Sequence, residues 1–196
     1  PLRVESSTMR ILDLFDRHGV KATFFVLGWV ARKTPRLVSE IAKRGHEVGC
    51  HSFWHRLVYG LSPEDFRSDL RDATQAIEDA AQVKLRGHRA PSYSITRQSL
   101  WALEVLAEEG YAYDSSIFPI RHDIYGFPEF PRFPVKVRLA SGAASITEFP
   151  PSTVRVLGRN LPGPGGGYLR IFPLGYARWA LRRLELVSLL KHEKPV

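Results

Sequence analysis

The chain of 196 residues reads as an α/β protein, a parallel sheet or barrel wrapped by helices. Helix and strand patterns alternate through about residue 116. Val20 to Leu27 is a near-continuous apolar run with β-branched and aromatic residues, the signature of a strand covered on both faces. The helical stretches between strands carry one apolar stripe each and stop at Gly19, Gly45 and Gly110.

In chain order, Ser7 or Thr8 can cap a first helix with Met9, Ile11, Leu12, Leu14 and Phe15 as its apolar positions. Val20 to Leu27 follows as a strand. Pro35 opens a helix with Leu37, Val38, Ile41 and Ala42 inward, and Glu47 to Cys50 is the next strand. Ser62-Pro63-Glu64-Asp65 joins a cap, a first-turn proline and acids at the positive end of the helix dipole. Phe66, Leu70, Ala73 and Ile77 then form one stripe. Leu85 to Arg89 is a strand, Thr96 caps a helix with Leu100, Leu103 and Leu106 inward, and Tyr111 to Asp114 begins another strand. The first element is a helix of the kind that usually follows a strand, so a strand is expected upstream.

The character changes after residue 117, where prolines crowd in. Val135 to Leu139 and Ser145 to Phe149 resemble the strands of a hairpin. Gly158 to Tyr168 is glycine-rich, lacks the Gly-Lys-Ser/Thr ending of a phosphate loop, and reads as an irregular surface loop. Tyr176 to Leu190 is a last amphipathic helix. No flexible linker interrupts the chain, which is expected to be a single domain over 1–196: a βα core at 1–118, a Pro/Gly-rich insertion at 119–170, and a C-terminal helix at 171–196.

Hydrophobic residues make up 44% and charged residues 24%, as in ordinary globular proteins. No apolar run approaches the roughly 20 residues of a membrane span. The start lacks the basic and apolar regions of a signal peptide, and the single cysteine, Cys50, suits a reducing compartment; a cytoplasmic location is expected. The net charge of +8 is scattered, with some concentration in Arg170, Arg178, Arg182, Arg183, Lys191 and Lys194. It shows no aromatic-interleaved basic run of the kind that tracks nucleic acid. Two readings of it stay open: a solvated helix face, or attraction to an anionic glycan or membrane surface.

The chemistry gathers beyond strand ends, where α/β folds place it. His51 and His55, four apart after the second strand, would share one face of a helical turn, and two neutral imidazoles there can bind a divalent metal, most naturally zinc. Two histidines on a solvated loop is the alternative. Arg89-Ala90-Pro91-Ser92-Tyr93-Ser94 follows the third strand, and Tyr113-Asp114-Ser115-Ser116 the fourth. Three consecutive strand ends thus carry His/His, Arg and Asp, expected on one rim.

These motifs resemble the polysaccharide deacetylases with the NodB-homology domain, carbohydrate esterase family 4, and most of all their exopolysaccharide-locus branch. The resemblance runs through Lys21-Ala22-Thr23-Phe24-Phe25, Gly45-His46-Glu47-Val48, Arg89-Ala90-Pro91-Ser92, Tyr113-Asp114-Ser115-Ser116-Ile117-Phe118-Pro119, Glu148-Phe149-Pro150-Pro151-Ser152 and Gly158-Arg159-Asn160-Leu161-Pro162. It implies a distorted (β/α) barrel, here missing its first and last strands, and metal-assisted removal of N-acetyl groups from a sugar polymer. By resemblance, His51 and His55 bind the metal, Zn2+ or another divalent transition metal. Arg89 orients the base, and Asp114 supports the site's charge network. Pro91, Ser92 and Tyr93 form the substrate and oxyanion loop, with the backbone N–H of Ser92 as donor where many members have tyrosine.

The family's adjacent aspartates, which supply the base and a metal ligand, have no counterpart before residue 20, and its Leu-His-Pro general-acid motif is absent. The resemblance therefore implies a fragment that is inactive or nearly so. It implies an N-acetylated polysaccharide as substrate and leaves the oligomeric state open. Two other functions are weighed: hydrolysis of a small cyclic amide such as allantoin on the same fold, and non-catalytic glycan binding by aromatics such as Trp54, Tyr59, Tyr93 and Tyr125.

Overall fold

The computed structural model describes residues 3–139, 145–163 and 167–192. Helix α1 spans Arg3–His18. Its helical pattern continues upstream of the expected caps, so Ser7 and Thr8 lie inside it, while the Ser6 hydroxyl donates to the Arg3 carbonyl at 3.2 Å. Strand β1 is Thr23–Val26, followed by α2, Gly28–Lys33, a helix the sequence reading did not anticipate, and α3, Pro35–Lys43. Arg44, just after α3, reaches both Asp13 and Asp16 of α1 at 2.8 Å, which ties the two helices together.

Strand β2 is Glu47–Cys50, and α4 is Pro63–Ala81, capped by the Ser62 hydroxyl accepting from the Asp65 N–H. Strand β3 (Gly87–His88), α5 (Trp101–Glu108) and β4 (Tyr113–Asp114) follow. The later strands are β5 (Val135–Arg138), β6 (Ser145–Glu148), β7 (Thr153–Val156) and β8 (Arg159–Pro162). Two helices complete the described chain, α6 (Tyr168–Ile171) and α7 (Leu174–His192). No helix among the described residues is long and apolar enough to cross a membrane.

The main sheet has the order β1-β2-β3-β4-β6-β5. Every pairing is parallel except β5 with β6. The hairpin expected inside an insertion thus contributes β6 to the main sheet, paired with β4 through Tyr113 opposite Thr147 and Asp114 opposite Glu148. The segment read as an irregular loop from Gly158 also differs: Arg159–Pro162 pairs antiparallel with Thr153–Val156. Leu157 and Gly158 take left-handed angles at the turn, with φ 48° and 78°.

Side chains alternate between the sheet's two faces. Val26, Val48, Cys50, His88, Asp114, Ile146 and Glu148 are buried in the core or beside it, where α2 to α5 pack with Phe66, Leu70, Ile77 and Leu103. Thr23, Phe25, Glu47, Arg89, Tyr113, Ser115 and Phe149 face the opposite way and line a concave cavity of about 660 Å³. Close packing on this face needs glycine. A Cβ on Gly87 would fall 2.0 Å from Tyr113, and one on Gly49 would fall 2.8 Å from the Phe25 ring.

Candidate active site

The two histidines come together, but not on a helical turn. Residues 51–55 form a loop in which Ser52 and His55 are left-handed, with φ 64° and 59°. The Ser52 hydroxyl accepts the His55 N–H at 3.2 Å, and the Ser52 carbonyl accepts the Gly28 N–H at 2.9 Å. Asp69, buried on α4, accepts the Phe53 N–H at 2.6 Å and pairs with Arg56 at 3.2 Å. This clamp replaces the helix as the device that converges the rings. Their centroids stand 5.2 Å apart at 76°.

His51 Nδ1 lies 2.6 Å from the Arg89 carbonyl oxygen. A carbonyl can only accept, so Nδ1 carries the proton and Nε2 keeps its lone pair. Burial pushes the His51 imidazole down to about 4, so the ring is neutral at pH 7. A neutral imidazole with Nδ1 tied to a backbone carbonyl and Nε2 free is the form that ligates a metal. His51, His55 and Arg89 line a cavity of about 590 Å³ whose other walls are mostly apolar, among them Phe25, Val26 and Val30. Among the described residues, no cluster of three or more His, Cys, Asp or Glu side chains is placed to hold a metal.

Arg89 continues β3. Its N–H donates to the Cys50 carbonyl at 2.9 Å, which sets it beside the end of β2. Its guanidinium donates to the Ser115 carbonyl at 3.0 Å and to the Ser115 hydroxyl at 2.6 Å, and lies over the Phe25 ring at 4.5 Å. The Ser115 hydroxyl donates onward to the Phe149 carbonyl at 2.7 Å.

Pro91, Ser92 and Tyr93 form a single turn. Ser92 and Tyr93 are both left-handed, with φ 51° and 54°, a costly conformation for residues with a Cβ and one that clusters at functional sites. The Tyr93 and Ser94 N–H groups turn back to the Ala90 and Pro91 carbonyls. Ser92 itself is exposed on this turn. Ser94, fully buried, accepts the Val58 N–H at 3.0 Å and donates to the Pro91 carbonyl at 2.6 Å, joining this turn to the loop after the histidines.

Asp114 does not join them on the rim, and this corrects the expectation drawn from the sequence. It is fully buried on the helix-packed face, opposite in direction to Ser115 and Arg89. It accepts from His88 Nδ1 at 2.7 Å and from the Ser116 hydroxyl at 2.7 Å. Burial pushes the Asp114 carboxyl up, but His88, Glu148 and Ser116 together outweigh it and hold the group below its ordinary value. Beside it, Glu148 accepts from the Ser116 and Ile117 N–H groups at 3.0 and 2.9 Å. Burial and the neighbouring Asp114 charge push Glu148 well above the usual carboxylate range, which favours its protonated form. Asp114 therefore belongs to a buried network that joins β3, β4 and β6.

The sequence reading missed Asp69, Ser115 and Glu148. Asp69 was detectable: it lies three residues after Phe66 and four before Ala73, on the inward stripe of α4, where an unpaired charge is costly.

Residues 2–113 match the family model for polysaccharide deacetylase, and residues 115–189 match a domain of unknown function, DUF3473. The chain belongs to the polysaccharide deacetylase family. It is 34% identical over 98 residues to a peptidoglycan-N-acetylglucosamine deacetylase of Bacillus cereus, a match covering 50% of this chain and 36% of the relative. It is 31% identical over 105 residues to a chitooligosaccharide deacetylase of Bradyrhizobium, covering 54% and 46%. The matched part thus spans less than half of either deacetylase. Among solved structures, a Mycobacterium smegmatis protein assigned to the polysaccharide deacetylases superposes with a TM-score of 0.60 and 30% identity, over 73% of this chain and 44% of that one. A family 4 pseudoenzyme from Bacillus anthracis superposes with a TM-score of 0.52 and 28% identity, over 56% and 38%. The α/β sheet described above is the fold of these deacetylases.

Proposed function

We propose that this chain carries part of the active site of a metal-dependent N-deacetylase that acts on an N-acetylated exopolysaccharide. The observation behind this reading is the fixed tautomer of His51, a neutral ring with Nε2 free beside His55. These two residues would hold the metal, Zn2+ or another divalent transition ion. When bound, such an ion lowers the pKa of water and polarises a carbonyl. Arg89, clamped by Ser115, would orient a carboxylate base with a charge-assisted hydrogen bond. The Ser92 N–H would donate to the developing oxyanion, a contact worth roughly 3–4 kcal/mol where measured in other enzymes. The exopolysaccharide reading rests on the likeness of the Glu148 to Pro162 segment to that branch of the family.

No carboxylate of the described residues lies beside the histidine pair to serve as base or third ligand. The 196 residues alone are therefore expected to bind zinc weakly and to release little or no acetate. The test compares acetate release from N-acetylglucosamine oligomers, N-acetylated polysaccharide and allantoin by the natural gene product with zinc. Release from the sugars alone supports the proposal. Hydrolysis of the cyclic amide and no sugar would overturn it in favour of the amidase reading. The likeness to a family 4 pseudoenzyme favours one second reading, a non-catalytic glycan binder. Glycan binding without acetate release, unaffected by loss of both His51 and His55, would select it.

A further inference from the structure

We propose that the cleft between residues 120–133 and the β7–β8 hairpin is a binding site for an acidic saccharide, one bearing carboxylate or phosphate groups. The binding stands by itself; its consequence, a preference of the deacetylase for acidic glycan chains, rests on the function proposed above.

The cleft encloses about 1020 Å³, at the upper end for small-ligand pockets and enough for more than one sugar ring. Arg121, Arg132, Arg155 and Arg159 line it, and Phe130 and Phe133 supply apolar walls against which the C–H face of a pyranose can pack. The hairpin is anchored in place: Asn160 donates to the Pro119 carbonyl at 2.8 Å, and Arg132 donates through Nε to the Thr153 hydroxyl at 2.9 Å and through Nη2 to the Thr153 carbonyl.

The charges are not neutralised from within. Neither Arg155 nor Arg159 has an acidic partner among the described residues. Arg132 is half-buried, and both burial and the proximity of Arg155 disfavour its charge. The two acids in the lining offset only part of this. Glu129 pairs with Arg97 at 3.0 Å and also lies in the field of Arg121, and with Asp123 it sets two acids against four arginines. Like charges held together in a concave, part-apolar site are stabilised by an anion that bridges them, and guanidinium groups do this through paired N–H donors. Concavity favours a sugar chain over a bilayer, whose flat surface reaches only the rim.

The test is calorimetric titration of the protein with a galacturonate tetramer, a neutral chitotetraose, inorganic phosphate and vesicles of anionic phospholipid. The acidic tetramer is expected to bind, more tightly than either phosphate or the neutral tetramer, and to weaken as salt is added. Arg155→Ala with Arg159→Ala should weaken it by about tenfold or more, the loss expected for a charge-assisted pair. Arg178→Ala with Arg182→Ala, on exposed positions of α7 outside the cleft, should leave it unchanged. Equal binding of the neutral tetramer, binding to vesicles alone, phosphate binding as tightly as the tetramer, or equal losses in the two double variants would each overturn the assignment. The salt dependence and ligand preference of the unaltered protein test it even if a variant misfolds. No turnover is read, so failure of the deacetylase proposal leaves this result interpretable.

Discussion

Replacing Glu148 with Gln should change how stability depends on pH while leaving the fold intact. Glu148 is fully buried, and its Oε1 accepts from the Ser116 and Ile117 N–H groups. Gln keeps that acceptor and offers an N–H where the protonated acid offers an O–H. In the unfolded chain the carboxyl ionises near 4.5, whereas in the fold burial and the Asp114 charge push it far above that. A folded pKa above the unfolded one gives a contribution fully present below the unfolded value and lost as pH rises toward the folded one. Unfolding between those limits releases up to one proton, so wild-type stability should fall by up to about 1.4 kcal/mol per pH unit relative to the Gln variant. Sharing of the proton with Asp114 can only make the slope shallower. The window from pH 6.5 to 8 isolates the effect. His51, lowered to about 4, changes the balance below its ordinary 6.5, and Cys50, raised to about 11, changes it above its ordinary 9.0. Across that window the two proteins should diverge by up to about 2 kcal/mol. Urea unfolding midpoints, with m-values held equal, measure it. Parallel pH profiles, or a wild type that gains on the variant as pH rises, would refute a protonated Glu148.

Three further outcomes follow from the packing. Gly28→Ala should destabilise by about 1–3 kcal/mol through overpacking, because the new Cβ would meet the Phe53 ring at 2.4 Å and the Ala73 Cα at 2.7 Å, the second of which is backbone; thermal unfolding reads this directly. Asp69→Asn should cost about 1.5–3 kcal/mol, the worth of hydrogen bonds to a charged group, and should raise hydrogen exchange at the Phe53 amide, which Asp69 anchors. Cys50 is fully buried with its thiol pushed up to about 11, so a thiol reagent should label the native protein only at the rate of unfolding.

The sequence carries the order of elements well because that order is written in local pattern: the apolar stripe of α4, the Ser62 cap and the β2 run need no partner to be read. What it does not carry is register. Asp114 and Arg89 both follow strands, so both look like rim residues. Pairing sets His88 opposite Asp114, which leaves Arg89 level with Ser115. One residue of offset sends a side chain to the other face. Asp114 is thereby committed to the buried network and Ser115 becomes the contact of Arg89. The spacing of His51 and His55 brings their rings together on a different backbone from the helical turn it suggests, because a spacing of four is also met by a loop with two left-handed residues. The β7–β8 hairpin was masked by its composition: Leu157-Gly158 is the turn, and the glycines that make the segment look irregular lie mostly beyond β8.

The two faces of the sheet are mechanically one device. On the concave face, the His51 ring is set by the Arg89 carbonyl, the Arg89 side chain by Ser115, and the Ser115 hydroxyl by the Phe149 carbonyl. That chain crosses the ends of β2, β3, β4 and β6 in spatial order. On the opposite face, His88, Asp114 and Glu148 bind the last three of those strands together one residue earlier. A hydrogen bond in the buried network thus fixes the register that the rim contacts inherit. Buried polar groups of this kind add little net stability over an apolar core but penalise every other register, since a slip would strand a carboxyl without partners. It follows that substitutions at Asp114 which keep the fold should still disturb His51 and Arg89, although Asp114 touches neither side chain. A ring-nitrogen NMR signal of His51 unchanged in Asp114→Asn would contradict this dependence.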